Sequence, residues 1–255
     1  MPVRHESDRR AFIRTSALAA GALGLPRASI ARPGGSPNGK IAVAVVGVGG
    51  QGTYAVEQGA TEHLVALCDV DDQRACKAYA AHPDVPRFKD FRVMLDKMHK
   101  QIDAVTISTP DHNHFPIAMA AMELGKHVFV EKPLAHNIWQ ARTLRKAARH
   151  YGVVTQMGNQ GHTFEGMRRI KEWVEAGVVG DVSEVVTWTD RPNDPWFIPP
   201  RSFPPPVMCP PADLDWDLWQ GPVAAREYSR AYVPVTWRGW WAYGCGSLGD
   251  IGCHT

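Results

Sequence analysis

The chain has 255 residues, of which 44% are hydrophobic, and it carries a formal net charge of +2. This length suffices to bury one sizeable core and part of a second. Residues 1–31 hold five arginines and two acids, so the rest of the chain is close to neutral. The composition therefore gives no support to nucleic-acid binding, and no apolar stretch is long enough to suggest a membrane span.

The first 31 residues are predicted to be a signal peptide. Arg9 and Arg10 precede a short apolar run at 17–25 and a small-residue site at 29–31. This pattern resembles the twin-arginine signal and predicts a periplasmic or otherwise exported protein. The alternative is an amphipathic N-terminal helix. Residues 32–39, rich in Gly, Pro and Ser, are the predicted linker.

Residues 41–52 predict a strand, a tight turn and the start of a helix. An apolar run ends in Gly47, Gly49 and Gly52, with Gly50 and Gln51 between them. In such a turn the first glycine permits the bend, the second lets the backbone approach a pyrophosphate, and the third lets helix and strand pack closely. The segment is therefore a candidate dinucleotide site, and a purely structural glycine turn is the alternative.

A second predicted strand, at 63–68, ends in Asp69. This acid follows the glycine turn at about the distance that binding of the adenosine ribose requires. A carboxylate there would repel a 2′-phosphate, which favours NAD over NADP, although Arg74 is near enough in sequence to leave the preference open. The alternative role for Asp69 is an N-cap of the next helix.

Further strands and helices alternate up to residue 160. Helices are predicted at 71–81, 91–99, 115–124 and 137–150, and strands at 103–108, 127–130 and 153–156. This alternation predicts a Rossmann-type, doubly wound parallel sheet over residues 40–160. Ligands bind such a sheet at the carboxyl ends of its strands, so residues 109–114 and 131–133 should join the glycine turn and Asp69 in one crevice.

Residues 161–255 are predicted to begin a substrate domain of α+β type. A helix is predicted at 164–176 and a strand at 182–189, followed by a proline-rich loop. Seven of the nine tryptophans lie beyond residue 180. Tryptophan faces can stack on sugars, and Trp240 is our candidate, although most are expected to be core residues. One helix and one strand do not close a sheet domain, so we expect this domain to be incomplete at its C-terminal end.

Four motifs together resemble the Gfo/Idh/MocA oxidoreductase family. They are the glycine turn with Asp69, Thr109-Pro110 with His114, Glu131-Lys132-Pro133, and Asp250 with His254. The resemblance implies a nicotinamide enzyme that passes hydride between the cofactor and a carbinol carbon of a sugar or polyol. It also implies cofactor contacts at Thr109, Pro110, His114, Glu131, Lys132 and Pro133. The leader, residues 214–222 and the WRGWW motif at 237–241 resemble the exported branch of this family.

Oxidation of an alcohol needs a base and a cation that steadies alkoxide character. Lys132 is predicted to supply the cation and to share the base role. The Lys132–Pro133 bond is predicted to be cis. Asp250 and His254 are four residues apart, so on a helix they would share a face. The resemblance implies that His254 is the general acid/base and that Asp250 orients it or holds a substrate hydroxyl.

The stretch Asp111-His112-Asn113-His114 could suggest a metal site. We predict none, because no third and fourth ligand has suitable spacing. His114 is expected to line the cofactor crevice and His112 to be exposed. Asn159 and Gln160, after the last strand of the sheet, are candidates for binding substrate hydroxyls.

The sequence thus favours an NAD-dependent oxidoreductase of sugars or polyols that uses Lys132, Asp250 and His254. One alternative is a glycosidase that oxidises its sugar transiently with bound NAD, eliminates the aglycone and regenerates NAD. Another is a non-catalytic sugar-binding protein, since a fold does not determine a function. We expect the full-length protein to form a homo-oligomer.

Overall fold

The computed structural model describes residues 39–191, 197 and 202–254. The predicted signal peptide at 1–31 and residues 32–38 of the predicted linker lie outside this part of the chain. So do Trp196 and several prolines of the predicted proline-rich loop. The predicted domain boundary at residue 160 stays a prediction, and Lys40–Thr255 form a single compact unit.

Six parallel strands form one sheet in the order β3-β2-β1-β4-β5-β6. The strands are β1 (Ala42–Val46), β2 (His63–Cys68), β3 (Arg87–Phe88), β4 (Ala104–Ile107), β5 (His127–Glu131) and β6 (Thr155–Gly158). The strand order reverses between β1 and β4, and ligands bind doubly wound sheets at that switch point. The predicted Rossmann fold is confirmed.

Helices cover both faces of this sheet. They are α1 (Gly52–Thr61), α2 (Asp72–Ala81), α3 (Phe91–Met98), α4 (Asp111–Glu123) and α5 (Ile138–Tyr151). Alternate residues of a strand point to opposite faces, and β1 shows the result. Val43 and Val45 pack in one buried cluster with Leu67, whereas Ala44 and Val46 pack in another. Both faces of β1 are buried, which explains its continuous apolar sequence.

Local capping defines the helix ends. Asp71 accepts a hydrogen bond from the Arg74 backbone N–H at 3.0 Å at the start of α2, and Asn137 accepts one from Gln140 at the start of α5. Gly152, with a φ of 65°, ends α5 in the left-handed conformation that glycine adopts most readily. These signals explain why most predicted helix boundaries are within one residue of the observed ones.

Two predicted elements need correction. Helix α4 begins at Asp111, four residues before its predicted start, because Pro110 and Asp111 are themselves helix-start signals. Residues 182–189 form no strand, and their side chains are exposed. Alternation alone does not make a strand, since its backbone needs a neighbouring strand for hydrogen bonding.

The second half of the chain contains an exposed helix and, from residue 214 onward, a region that packs around aromatic side chains. It contains α6 (Glu165–Glu175), α7 (Trp216–Gln220), a 3₁₀ turn at Thr236–Gly239 and α8 (Gly246–Ile251). A buried cluster, here called the aromatic cluster, comprises Leu214, Trp216, Trp219, Tyr228, Tyr232, Trp237 and Tyr243. Within the described residues, the helices are too short or too polar to cross a bilayer.

Candidate active site

A cleft of about 720 Å³ opens at the carboxyl ends of β1, β2, β4 and β5. One side is lined by residues of the sheet domain that were predicted from sequence: Gly47, Gly49, Gly50, Gln51, Asp69, Thr109, Pro110, Glu131 and Lys132. The other side comes from the second half of the chain and includes Trp219, Trp237, Arg238 and Asp250. The fold therefore brings segments from both halves of the sequence to one cavity.

The glycine turn has no room for side chains. A Cβ on Gly47, which has a φ of 80°, would lie 2.8 Å from the Ser108 backbone. A Cβ on Gly52 would lie 1.8 Å from the Gly47 carbonyl oxygen, and one on Gly49 would lie 2.8 Å from Arg74 Cβ. The backbone is therefore bare at the N-terminal end of α1, where the helix dipole favours an anion. This cradle fits the pyrophosphate of a dinucleotide.

Asp69 holds the glycine turn in place. Its Oδ2 accepts hydrogen bonds from the backbone N–H groups of Val48 at 2.8 Å and Gly49 at 3.1 Å, and its Oδ1 accepts one from Asp71 at 3.0 Å. Burial raises the pKa of this carboxyl, and the three N–H groups oppose that shift. Asp69 also lines the cleft, and its ribose contact stays a prediction beside this observed role in the turn.

Arg74 lies across the same turn. Its Nη2 is 2.6 Å from the point that a Cβ on Gly50 would occupy, and the side chain lines the cleft. Asp69 and Arg74 therefore present opposite charges on the β2 side of the cleft. A carboxylate there favours NAD, and an arginine accommodates a 2′-phosphate.

Lys132 and Asp250 meet in the cleft although 118 residues separate them in sequence. Lys132 follows β5, and its Nζ donates to Asp250 Oδ1 and to the Asp250 carbonyl oxygen, each at 2.6 Å. The Lys132–Pro133 bond is cis, as predicted. Both side chains are largely buried, with 16% of Lys132 and 4% of Asp250 exposed. The result is an ion pair shielded from bulk water at the end of a strand.

Arg238, which sequence reasoning did not single out, also binds Asp250. Its Nε donates to Asp250 Oδ1 at 3.3 Å, so this oxygen accepts from both an ammonium and a guanidinium. Within the described residues, Asp250 Oδ2 is buried and has no hydrogen-bond partner. The WRGWW motif was the available sequence signal for Arg238, but the motif alone does not reveal a contact with α8.

His254 does not share a helix face with Asp250, so that prediction is wrong. Helix α8 ends at Ile251, and His254 lies beyond the turn at Gly252. Its Nδ1 is 2.8 Å from the Gln160 carbonyl oxygen. Asp250 is the fifth of the six residues of α8, so the position four residues later falls outside the helix.

Gln160 and Glu131 contact each other. Gln160 Nε2 donates to both carboxylate oxygens of Glu131, at 3.1 and 2.8 Å. Glu131 lines the cleft, whereas the lining of the cleft includes neither Gln160 nor Asn159. Their predicted contacts with substrate hydroxyls therefore stay predictions.

The histidines after β4 are both buried and anchor the backbone. His114 lies with Nδ1 2.7 Å from the Pro133 carbonyl oxygen and Nε2 2.7 Å from that of Thr109. His114 and Pro133 do not line the cleft, whereas Thr109, which His114 contacts, and Lys132, which precedes Pro133, do line it. The predicted cofactor contacts of His114 and Pro133 therefore stay predictions. In the part of the chain that the structure describes, no three His, Cys, Asp or Glu side chains are grouped to hold a metal.

His112 is 1% exposed, which corrects its predicted exposure. Its ring nitrogens lie 2.9 Å from the Trp219 carbonyl oxygen and 3.2 Å from that of Tyr243. Burial lowers its pKa to about 4, so the ring is neutral at physiological pH. His112 thereby joins α4 to the aromatic cluster.

Tryptophans contribute to the cleft, but not in the predicted way. Trp219 and Trp237 line it, whereas Trp240 does not. The indole N–H of Trp240 donates to the Ala231 carbonyl oxygen at 2.8 Å, and its ring packs against Tyr232. The structure thus places Trp240 beside the aromatic cluster.

Comparison with known proteins identifies the class. Residues 41–159 match the family model of the Gfo/Idh/MocA oxidoreductases described as "Oxidoreductase family, NAD-binding Rossmann fold", and residues 166–255 match that of its "C-terminal alpha/beta domain". Together these matches cover most of the chain. The chain therefore belongs to this oxidoreductase family, and NAD is its cofactor, as predicted.

Particular relatives include a glycosyl hydrolase family 109 protein from Solibacter usitatus, 29% identical over 70% of this chain and 44% of the relative. An inositol 2-dehydrogenase from Rubrobacter xylanophilus is 32% identical over 55% of this chain and 41% of the relative. Among solved structures, GenD2 from gentamicin A biosynthesis in complex with NAD is 25% identical, with a TM-score of 0.51, over 58% of this chain and 42% of that one. The chain thus spans less than half the length of these relatives.

Proposed function

We propose that the chain carries the cofactor-binding and catalytic part of an NAD-dependent oxidoreductase that acts on a sugar or polyol hydroxyl. The observation that carries this proposal is the Lys132–Asp250 pair, which lies in the same cleft as the glycine turn. An inositol dehydrogenase among the relatives supports the substrate class.

NAD, when bound, supplies the acceptor for the hydride that leaves the carbinol carbon. The glycine turn would hold its pyrophosphate, and Asp69 would contact the adenosine ribose, which favours NAD over NADP. Thr109, Pro110 and Glu131 line the cleft between this turn and Lys132. They would therefore contact the cofactor along its length.

Lys132 would act on the substrate hydroxyl. In its neutral form the amine accepts the hydroxyl proton as the C–H electron pair leaves with the hydride. In the reverse direction the ammonium donates that proton to the developing alkoxide. Asp250 fixes the amine through two oxygens, so the nitrogen keeps one position in both directions. His254, which contacts the Gln160 carbonyl oxygen and does not itself line the cleft, would be a second acid/base only if it reached the substrate.

The test is NAD reduction by the purified protein with a panel of sugars and polyols, including inositols and pyranoses. Lys132→Met should lower kcat at least about a hundredfold, in the range typical of general acid–base groups, and leave the Kd for NAD within about twofold. Lys171→Met is the matched control, because Lys171 is an exposed lysine on α6 that pairs with Glu175. Full turnover by Lys132→Met would refute the proposal.

A second candidate is an NAD-dependent glycosidase. The observation that favours it is the glycosyl hydrolase family 109 relative, which matches 70% of this chain. Aryl glycosides distinguish the two reactions. Release of the aryl alcohol with no net NADH supports the glycosidase, and net NADH without bond cleavage supports the dehydrogenase. Sugar binding with neither product supports a non-catalytic binding protein.

Export and assembly are also proposals. The twin-arginine pattern at Arg9 and Arg10 supports a periplasmic location, and residues 1–31 fused to a folded reporter should direct its export. Replacement of both arginines by lysine should retain the reporter in the cytoplasm. The proposed homo-oligomer of the full-length protein would be measured by light scattering.

A further inference from the structure

The WRGWW motif contributes a residue to the ion-pair site. Arg238 lies in the 3₁₀ turn Thr236–Gly239, and its guanidinium is 4.3 Å from the centre of the Trp237 ring. Its Nη1 donates to the Val235 carbonyl oxygen at 3.3 Å, and its Nε donates to Asp250 Oδ1. Trp237 is buried in the aromatic cluster. The buried Trp237 ring therefore holds the Arg238 guanidinium beside the Asp250 carboxylate.

The buried carboxylate of Asp250 needs a cation besides Lys132. Its carboxylate is nearly fully buried, and a buried carboxylate that is left without a cation is strongly destabilised. Under the proposed function, Lys132 must be neutral when it accepts the hydroxyl proton. A lone Lys132–Asp250 pair would oppose that state, because Asp250 would then remain charged without a partner.

Arg238 supplies a second cation that does not titrate. A guanidinium keeps its proton at every pH that a folded protein meets. Because Arg238 and Lys132 contact the same oxygen of Asp250, the carboxylate stays paired when Lys132 is neutral.

Three other ionisable side chains of the described residues interact with Asp250, and none of them is a cation. These groups are Asp111, Cys245 and Cys253. Carboxyl and thiol groups are neutral or negative in every protonation state, so none of the three supplies positive charge near Asp250. Arg238 is thus the second cation recorded on this carboxylate within the described part of the chain.

We infer that Arg238 is a positioning residue that keeps Asp250 paired while Lys132 changes its protonation state, so that Lys132 can serve as the base. This inference rests on the proposed function. In the step that it supports, the substrate O–H bond breaks and an N–H bond forms at Lys132 Nζ. The C–H electron pair leaves as hydride, which oxidises the carbinol to a carbonyl and reduces NAD.

The experiment measures the reactivity of the Lys132 amine directly. A trace of acetic anhydride acylates neutral amines only, and peptide mass spectrometry reports the extent at each lysine. We compare wild type with Arg238→Met, which keeps the apolar stem, and Arg238→Lys, which keeps the charge. Arg226→Met is the matched control, since Arg226 packs on Tyr243 in the same region. Exposed Lys171 serves as the internal standard.

Arg238→Met should lower acylation of Lys132 at least about tenfold at fixed pH, because Asp250 then depends on the Lys132 ammonium as its charge partner. Arg238→Lys should restore most of the acylation of Lys132. Arg226→Met should leave acylation of Lys132 unchanged, and Lys171 should be acylated equally in every variant. In turnover, Arg238→Met should reduce kcat by a similar factor with little change in KM, and Arg238→Lys should rescue it.

Equal acylation of Lys132 in wild type and Arg238→Met would overturn the inference, even if the enzyme turns over normally. Equal loss in the Met and Lys variants would also overturn it, because that result indicates packing on Trp237 rather than charge. If the acylation shift occurs but the wild type oxidises no sugar or polyol, the proposed function fails and the charge relation stands.

Discussion

Replacement of Gly52 by alanine should weaken dinucleotide binding strongly, through a steric effect that can be worked out from the turn. The new Cβ would lie 1.8 Å from the Gly47 carbonyl oxygen, whereas ordinary contacts are 3.4–4 Å. The turn or the start of α1 must therefore move by about 1.5 Å, because the obstacle is backbone and has no rotamer that could turn away.

Such a movement would misplace the N–H groups and carbonyls that shape the anion cradle. If two hydrogen bonds to the pyrophosphate are lost, at about 1.5 kcal/mol each, binding weakens by about 3 kcal/mol. This free energy corresponds to an increase of more than about a hundredfold in the Kd for NAD. The fold should survive, because the core clusters on both faces of the sheet are untouched.

The assay is NAD titration by calorimetry, with urea unfolding to verify the fold. Gly59→Ala is a matched control in the same helix, since its Cβ would meet side chains and no backbone: Leu64 at 3.3 Å, with Val45 at 3.6 Å and Val43 at 3.7 Å in ordinary contact. Alanine should stabilise that helix position by up to about 1 kcal/mol and leave the Kd unchanged. An unchanged Kd for Gly52→Ala would refute the assignment of this turn as the pyrophosphate cradle.

Three further predictions concern contacts that join the two halves of the chain beside the cleft. His112 is buried and neutral in the folded state, so acid should destabilise the protein, because the unfolded chain binds the proton more tightly. The contribution of His112 to the free energy of unfolding is complete above about pH 6.5 and falls by about 3 kcal/mol as the pH drops to about 4. Urea titrations at each pH should show this fall, and His112→Gln should lack this dependence; equal pH slopes would contradict the prediction. Gly221→Ala should cost about 2 kcal/mol in urea unfolding, because φ is 54° and the Cβ would lie 1.9 Å from Asn113 Oδ1; an unchanged midpoint would contradict this clash. Asp250→Asn should lower kcat at least about a hundredfold with NAD affinity retained, because Lys132 loses its charged anchor; unchanged kcat would argue against an essential ion pair.

The fold of the sheet domain could be predicted because its signals are local. A buried strand leaves a continuous apolar run, and Asp71, Asn137 and Gly152 mark helix ends by their own chemistry. The predicted strand at 182–189 was wrong because strand formation depends on a partner elsewhere. Periodicity shows that a segment suits a sheet and does not show that a sheet is there.

The candidate site was predictable to different extents for the same reason. The glycine turn and Asp69 form contacts within about 20 residues of sequence, so spacing alone placed them together. The Lys132–Asp250 pair spans 118 residues, and only the resemblance to a family indicated that both matter. Arg238 lay in the WRGWW motif, but an arginine between Trp237 and Gly239 does not specify a carboxylate twelve positions later.

Different parts of the chain build the two sides of the cleft, and this separation has a functional consequence. The glycine turn, Asp69 and Arg74 are built by β1, β2 and the helices that follow them. Asp250 and Arg238 reach the cleft from the second half, which the His112 contacts with Trp219 and Tyr243 hold against α4. Changes at Arg238 or Asp250 should therefore alter proton transfer and leave NAD affinity intact. Changes at Gly52 should do the reverse, because the two sets of contacts share no side chain.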